Sequence, residues 1–246
     1  MTAFLLALLA AATPGAPPSA QAKTCIELVR TAPARAVDSA AEWRKKGGGL
    51  EAAQCEALAL AALDRWADAA VAFEHTALEA ERLKDLRSAD HWVEAGNAWL
   101  AAGEPAKARK DLDTALATTL LSAKLRGEAH LDRARAFVAA GDVPAARSDI
   151  DKALTLVPGD PFAWYLSAAL ARRETNLTRA RADIAKGLAL APEEPSLLLE
   201  AGSIAGVAGD VEAARGFYQR AAKAGPNTDS GRAAAAALAE PAPQPR

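Results

Sequence analysis

The stretch GEAHLDRARAFVAAGDVPAARSDIDKALTLVPGD, residues 127–160, decides the fold. Its first half places Ala129, Ala134, Phe137 and Val138 on one stripe at the spacing of a 3.6-residue turn, which reads as an amphipathic helix. Gly141-Asp142 interrupts the pattern, with Asp142 placed as an N-cap and Pro144 inside the next first turn. The second half resumes the helical signal through Ala146, Ile150, Ala153, Leu154 and Val157, until Pro158 stops it. Asp160-Pro161 then restarts the cycle as N-cap and first-turn proline. Such a hairpin cannot bury both of its apolar faces alone and needs neighbours of the same kind.

The neighbours are present at a fixed interval. Pro158, Pro192 and Pro226 are each 34 residues apart, as are Ala146, Ala180 and Ala214, then Ile150, Ile184 and Tyr218, then Ala134, Ala168 and Gly202. A period of that length is the mark of a stacked-repeat architecture. Upstream, Trp92, Ala95, Gly96 and Trp99 are followed by Gly103-Glu104-Pro105, Ala108 and Leu112, and Trp66, Ala69 and Phe73 follow Ala57 and Leu60. The first two units lack the terminal proline and are followed by short insertions. Small residues fill two columns, Ala57, Gly96, Ala134, Ala168 and Gly202 against Ala69, Ala108, Ala146, Ala180 and Ala214. Those columns are where paired helices approach most closely, since a larger group on Cβ would force the backbones apart.

On these residues the chain resembles the tetratricopeptide repeat family, whose unit pairs an early aromatic with a small residue, then has Ala-x3-aromatic and a closing proline. The resemblance covers roughly residues 50–228 and implies an all-α, right-handed superhelical solenoid of helix-turn-helix repeats. The expected repeats are at about 50–83, 89–122, 127–160, 161–194 and 195–228. The resemblance also implies a concave groove lined by the first helix of each repeat. Carried over position by position, it nominates Val93, Asn97 and Leu100, then Leu131, Arg135 and Val138, then Phe162, Tyr165, Ala169, Arg172 and Arg173, then Leu199 and Ser203. Asn97, Arg135, Arg172 and Arg173 would form a polar to basic strip beside Phe162 and Tyr165, suited to an extended peptide or a carboxylate because guanidinium forks match carboxylate geometry. Val93 stands where the family's carboxylate clamp has its first lysine, which argues against that particular mode.

The ends of the chain read differently. An apolar run over Ala3–Ala12 is followed by a Pro/Gly/Ser-rich stretch and by Ala20-Gln21-Ala22, a small-x-small cleavage signal. The run is about half the ~20 residues a membrane-spanning helix needs, so a signal peptide over 1–22 is favoured over an anchor. Residues 23–49 are expected to form a degenerate helical hairpin capping the array, with helices over Thr24–Arg30 and Ala36–Lys46 ended by Gly47-Gly48-Gly49. Residues 229–246 comprise an Ala-rich segment and the Pro-rich tail PAPQPR. Cys25 and Cys55 are the two cysteines; in an exported chain an even count favours a disulfide, the alternative being two buried thiols.

Chemistry has no visible seat. A formal net charge of −2 gives no electrostatic attraction to nucleic acid or to anionic membranes. His75, His91 and His130 fall in different columns and none has a second histidine or cysteine at i+3 or i+4 of the sort a helical metal site uses, so no metal and no cofactor are expected. There is no GxSxG, P-loop or GxGxxG pattern. Pairs such as Arg147 and Asp151 read as solvated helix faces. The expected function is that of a non-enzymatic, exported and periplasmic scaffold binding a protein or extended peptide in its groove; a structural or self-assembling role in the cell envelope is the alternative.

Overall fold

The computed structural model describes residues 18–239, and every described residue in regular secondary structure is helical. The apolar run over Ala3–Ala12 and the PAPQPR tail lie outside the described residues. Two compact units divide the chain, residues 1–146 and 147–246.

In the first unit α1 (Ala20–Thr31) and α2 (Pro33–Lys45) form a short hairpin, followed by α3 (Gly49–Ala62) with α4 (Trp66–Leu83) and by α5 (Ser88–Ala101) with α6 (Pro105–Ala117). Next comes α7 (Ala123–Ala139), and the division between the units falls inside α8 (Val143–Leu156). From α1 to α7 each helix packs on its sequence neighbour, while α1 also meets α3 and α5 also meets α7. First helices of successive hairpins are therefore side by side, which is what stacking requires. Ala20-Gln21-Ala22 form the first turn of α1, capped by the Ser19 hydroxyl accepting from the Ala22 N–H at 3.1 Å. Pro33 occupies the first turn of α2, where a missing N–H costs nothing. Cys25 on α1 and Cys55 on α3 are joined in a disulfide with a Cα–Cα separation of 6.1 Å.

In the second unit the rest of α8 is followed by α9 (Pro161–Arg173), α10 (Leu177–Leu190), α11 (Pro195–Val207), α12 (Val211–Ala224) and α13 (Asp229–Ala239). Here α9 packs on α10 and α11, α11 on α12 and α13, and α12 on α13. Asp160 caps α9 where the sequence pattern places it, accepting from the Phe162 N–H at 2.9 Å, and Asn176 and Asp210 cap α10 and α12, accepting from Arg179 at 3.1 Å and from Ala213 at 3.0 Å.

Close approach explains the small-residue columns. A Cβ built on Gly96 would sit 2.6 Å from Leu112 Cγ, and one on Gly202 would sit 2.5 Å from the Tyr218 ring. Ala134, Ala168, Ala108, Ala146 and Ala180 are buried to within 1% of their surface. The cores are correspondingly alanine-rich, with Phe73, Leu112, Leu131, Leu197 and Leu198 as the large buried groups.

Candidate functional site

The face lined by first helices is where the nominated residues fall, and the structure treats them unequally. In the first unit Val93 and Leu131 are 1% and 2% exposed, so they belong to the core rather than to any ligand surface. Asn97 donates to Asp132 Oδ2 at 2.9 Å, and Arg135 pairs with Asp132 Oδ1 at 2.9 Å. One carboxylate thus holds both nominated residues. Burial pushes the Asp132 carboxyl above its usual range, and the facing Arg135 and Asn97 act against that shift.

In the second unit Arg172 forks onto Glu200, with Nε–Oε1 at 2.6 Å and a second bond of 3.1 Å to Oε2. Phe162 and Tyr165 stack with ring centroids 5.8 Å apart and planes 19° from parallel. Burial, with Glu200 nearby, raises the Tyr165 phenol above its usual range. Arg173 is exposed at the end of α9. Half-buried rings with a solvated guanidinium on the same helix offer apolar area and one unclaimed charge to a ligand.

The groups that tie down the nominated residues share a register that sequence reasoning missed. Glu94, Asp132 and Glu200 occupy the sixth place of their units, and all three are nearly buried, at 7%, 7% and 5% exposed. Each is gripped from the preceding first helix: Glu94 by Gln54 at 3.5 Å, Asp132 by Asn97, Glu200 by Arg172. The acids act as rungs between adjacent hairpins. A polar side chain on the inner face therefore does not by itself signal a ligand contact.

A second column runs through the outer helices. Asp111, Asp149 and Asp183 occupy the same place in three units and are 1%, 2% and 6% exposed. Their spacing, 34 residues from Asp149 to Asp183 and four more from Asp111 to Asp149, was the available signal. Arg147 departs from its expected solvated role: its side chain is 15% exposed and it donates to Ser167 Oγ at 2.8 Å and to Glu174 at 3.1 Å, with Asp151 at 4.0 Å.

Two further groups cluster at the start of α5. Arg87 forks onto Asp85 at 2.7 and 3.0 Å and holds that carboxyl at about 2. His91 Nδ1 lies 2.9 Å from Glu94 Oε2, and Asp90 is pushed up to about 6 by burial and by the Glu94 charge. Among the described residues no group of three or more His, Cys, Asp or Glu is arranged to hold a metal ion, and no helix is long and apolar enough to cross a membrane.

Residues 127–170 match the family model described as Tetratricopeptide repeat. No curated protein matches the sequence. Among solved structures, the chain is similar to PilW, titled a widely conserved type IV pilus biogenesis factor, at 18% identity and a TM-score of 0.72, covering 87% of this chain and 96% of that one. It is similar to BtubC (BKLC) from P. vanneervenii at 16% identity and a TM-score of 0.65, covering 93% and 96%. YrrB, titled a TPR protein with an unusual peptide-binding site, aligns at 15% identity and a TM-score of 0.54, covering 79% and 96%. At these identities the likeness is one of fold. The repeat spacing, the hairpins within each unit and the family match over residues 127–170 agree on an all-α fold built from helical hairpins of the tetratricopeptide-repeat kind.

Proposed function

We propose that this chain is an exported, non-enzymatic scaffold that binds a protein or an extended peptide on the face lined by its first helices. The observation that carries the reading is the patch on α9. The stacked Phe162 and Tyr165 stand on the same helix as the exposed Arg173, which no carboxylate of the described residues claims. Rigid aromatic area beside a solvated cation suits a peptide backbone flanked by apolar and acidic side chains. Asn97, Arg135 and Arg172 take a supporting part, holding the hairpins in register through Asp132 and Glu200. This narrows the strip suggested by the sequence to Phe162, Tyr165 and Arg173.

Export rests on the N-terminal sequence pattern, with cleavage after Ala22 and a periplasmic destination. The Cys25–Cys55 disulfide supports an oxidising compartment. Cleavage there would remove the Ser19 cap and the first turn of α1, leaving Cys25 close to the new N-terminus.

The test has two parts. Mass spectrometry of the protein recovered from cells should give a chain beginning at Lys23; an intact N-terminus would remove the export reading. Residues 23–246, oxidised, should capture a partner from an envelope extract, and the Tyr165→Ala/Arg173→Ala double variant should lose it while keeping its helical circular dichroism. Equal capture by both would move the interface off α9, and concentration-dependent self-association with no partner would favour the structural alternative.

A further inference from the structure

Asp111 on α6 is 1% exposed, and its Oδ2 is buried with no hydrogen-bond donor in reach. A buried, ionised carboxylate oxygen without a donor is among the costlier arrangements a fold can hold. What faces it makes ionisation worse. Glu74 on α4 presents its carboxyl within hydrogen-bonding reach of Asp111. The Trp99 indole on α5 donates its N–H to Glu74 Oε1 at 2.7 Å and also reaches Asp111, where it only partly offsets burial and the Glu74 charge. From its own helix, Lys110 acts weakly on Asp111, and Lys107 lies 4.2 Å above the Trp99 ring. From α7, Arg133 pairs with Asp113 at 2.7 Å.

Two carboxyl groups in contact satisfy each other when one of them carries a proton, because an O–H then donates to the neighbouring carboxylate. Both oxygens are acceptors only when both are ionised, and like charges at contact repel. We propose that Glu74 and Asp111 hold a single shared proton, which clamps α4 to α6 across Trp99 and makes the hairpin of α5 and α6 tighten on mild acidification and loosen on mild alkalinisation. This stands apart from the partner-binding reading and does not depend on it.

Burial, followed by the Glu74 charge and hydrogen bond, pushes Asp111 to about 7. The sign of the linkage follows. The folded pair keeps a proton that the unfolded chain releases near pH 4, so its contribution to stability is full below that point and lost as pH rises to about 7. Paired surface carboxylates such as Asp85 have the opposite dependence, which separates the two effects.

The experiment measures melting of the oxidised chain from pH 5 to pH 8.5 for the wild type, Asp111→Asn and Glu74→Gln. The wild type should lose about 5 °C across this window relative to Asp111→Asn, whose neutral amide makes the same contact at every pH. Glu74→Gln supplies a donor to an ionised Asp111 and should also flatten the profile. Parallel profiles for all three proteins would overturn the proposal. Should both variants melt low at every pH, carbon-13 titration of the wild-type carboxyls decides: one of the two must titrate near neutrality, and ordinary midpoints below about 5 for both would overturn it.

Discussion

Two hairpins of this molecule, α5 with α6 and α9 with α10, share a register and differ in how they solve the same problem. Each buries an aspartate at the same place of its second helix, Asp111 and Asp183. In the α9–α10 hairpin the seventh residue is Ser167, whose hydroxyl donates to Asp183 at 2.6 Å, and Arg179 adds a bond at 3.1 Å. In the α5–α6 hairpin that seventh place is Ala95, which has nothing to donate, and the eleventh is Trp99, whose N–H goes to Glu74. One acid is met by a hydroxyl and a guanidinium, the other by a second acid. Register decides where a buried carboxylate sits; the residues at the seventh and eleventh places of the partner helix decide which groups meet it.

The comparison can be broken in several places. The largest effect is expected from the covalent link that only the first unit has. Reducing Cys25–Cys55 should destabilise that unit by roughly 3–4 kcal/mol in the chain-entropy picture. Amide exchange should accelerate in α1–α3 and stay unchanged in α9–α12; acceleration spread evenly over the chain would show that the bond staples more than its own unit.

Next in size is the close approach of the helices. Gly96→Ala places a Cβ against Leu112 and should cost about 1–2 kcal/mol in chemical denaturation, despite alanine's better helix propensity. The equivalent place in α9 already carries Ala168, fully buried, so Ala168→Gly should also destabilise, by removing packed atoms and loosening the helix. Gains in stability from either substitution would mean that the two hairpins are not packed at the same depth.

Ser167→Ala should cost about 1–2 kcal/mol by removing one of the donors to Asp183. Ala95→Ser probes the reverse and should leave stability at pH 8 equal or higher, if the hydroxyl reaches Asp111. The smallest effect concerns the turn. Gly103, Gly141 and Gly209 have φ between +77° and +81°, and the corresponding residue between α9 and α10 is Thr175 at φ +58°. A β-branched residue is strained there, so Thr175→Gly should stabilise by roughly 0.5–1 kcal/mol. A loss instead would indicate that the threonine hydroxyl, bonded to the Glu174 carbonyl, secures the turn.

The architecture was legible because it is written as repetition. Pro158, Pro192 and Pro226 announce the unit, Asp142 and Asp160 its caps, and Gly96 and Gly202 the contacts that exclude a Cβ. The inner face was less legible. Its arginines and asparagine read as ligand groups because a sequence does not show which acid each will meet across the hairpin boundary. Asp132 and Glu200 are 35 and 28 residues from the Asn97 and Arg172 they bind, separations that only stacking closes. Val93 and Leu131 were placed on the right helices and on the wrong side of the surface, since burial depends on how tightly the next helix packs. The buried aspartate column was visible as spacing, but its chemistry was not, because Glu74 joins Asp111 from a different unit of the repeat.

The most direct test of the account places a photo-reactive phenylalanine analogue at position 165 and, separately, at position 97 of the full chain in living cells. Crosslinking of a partner from 165 and none from 97 is the predicted result, since Tyr165 belongs to the proposed binding face while Asn97 is held by Asp132. A partner crosslinked from 97 alone would contradict the assignment of the binding face to α9.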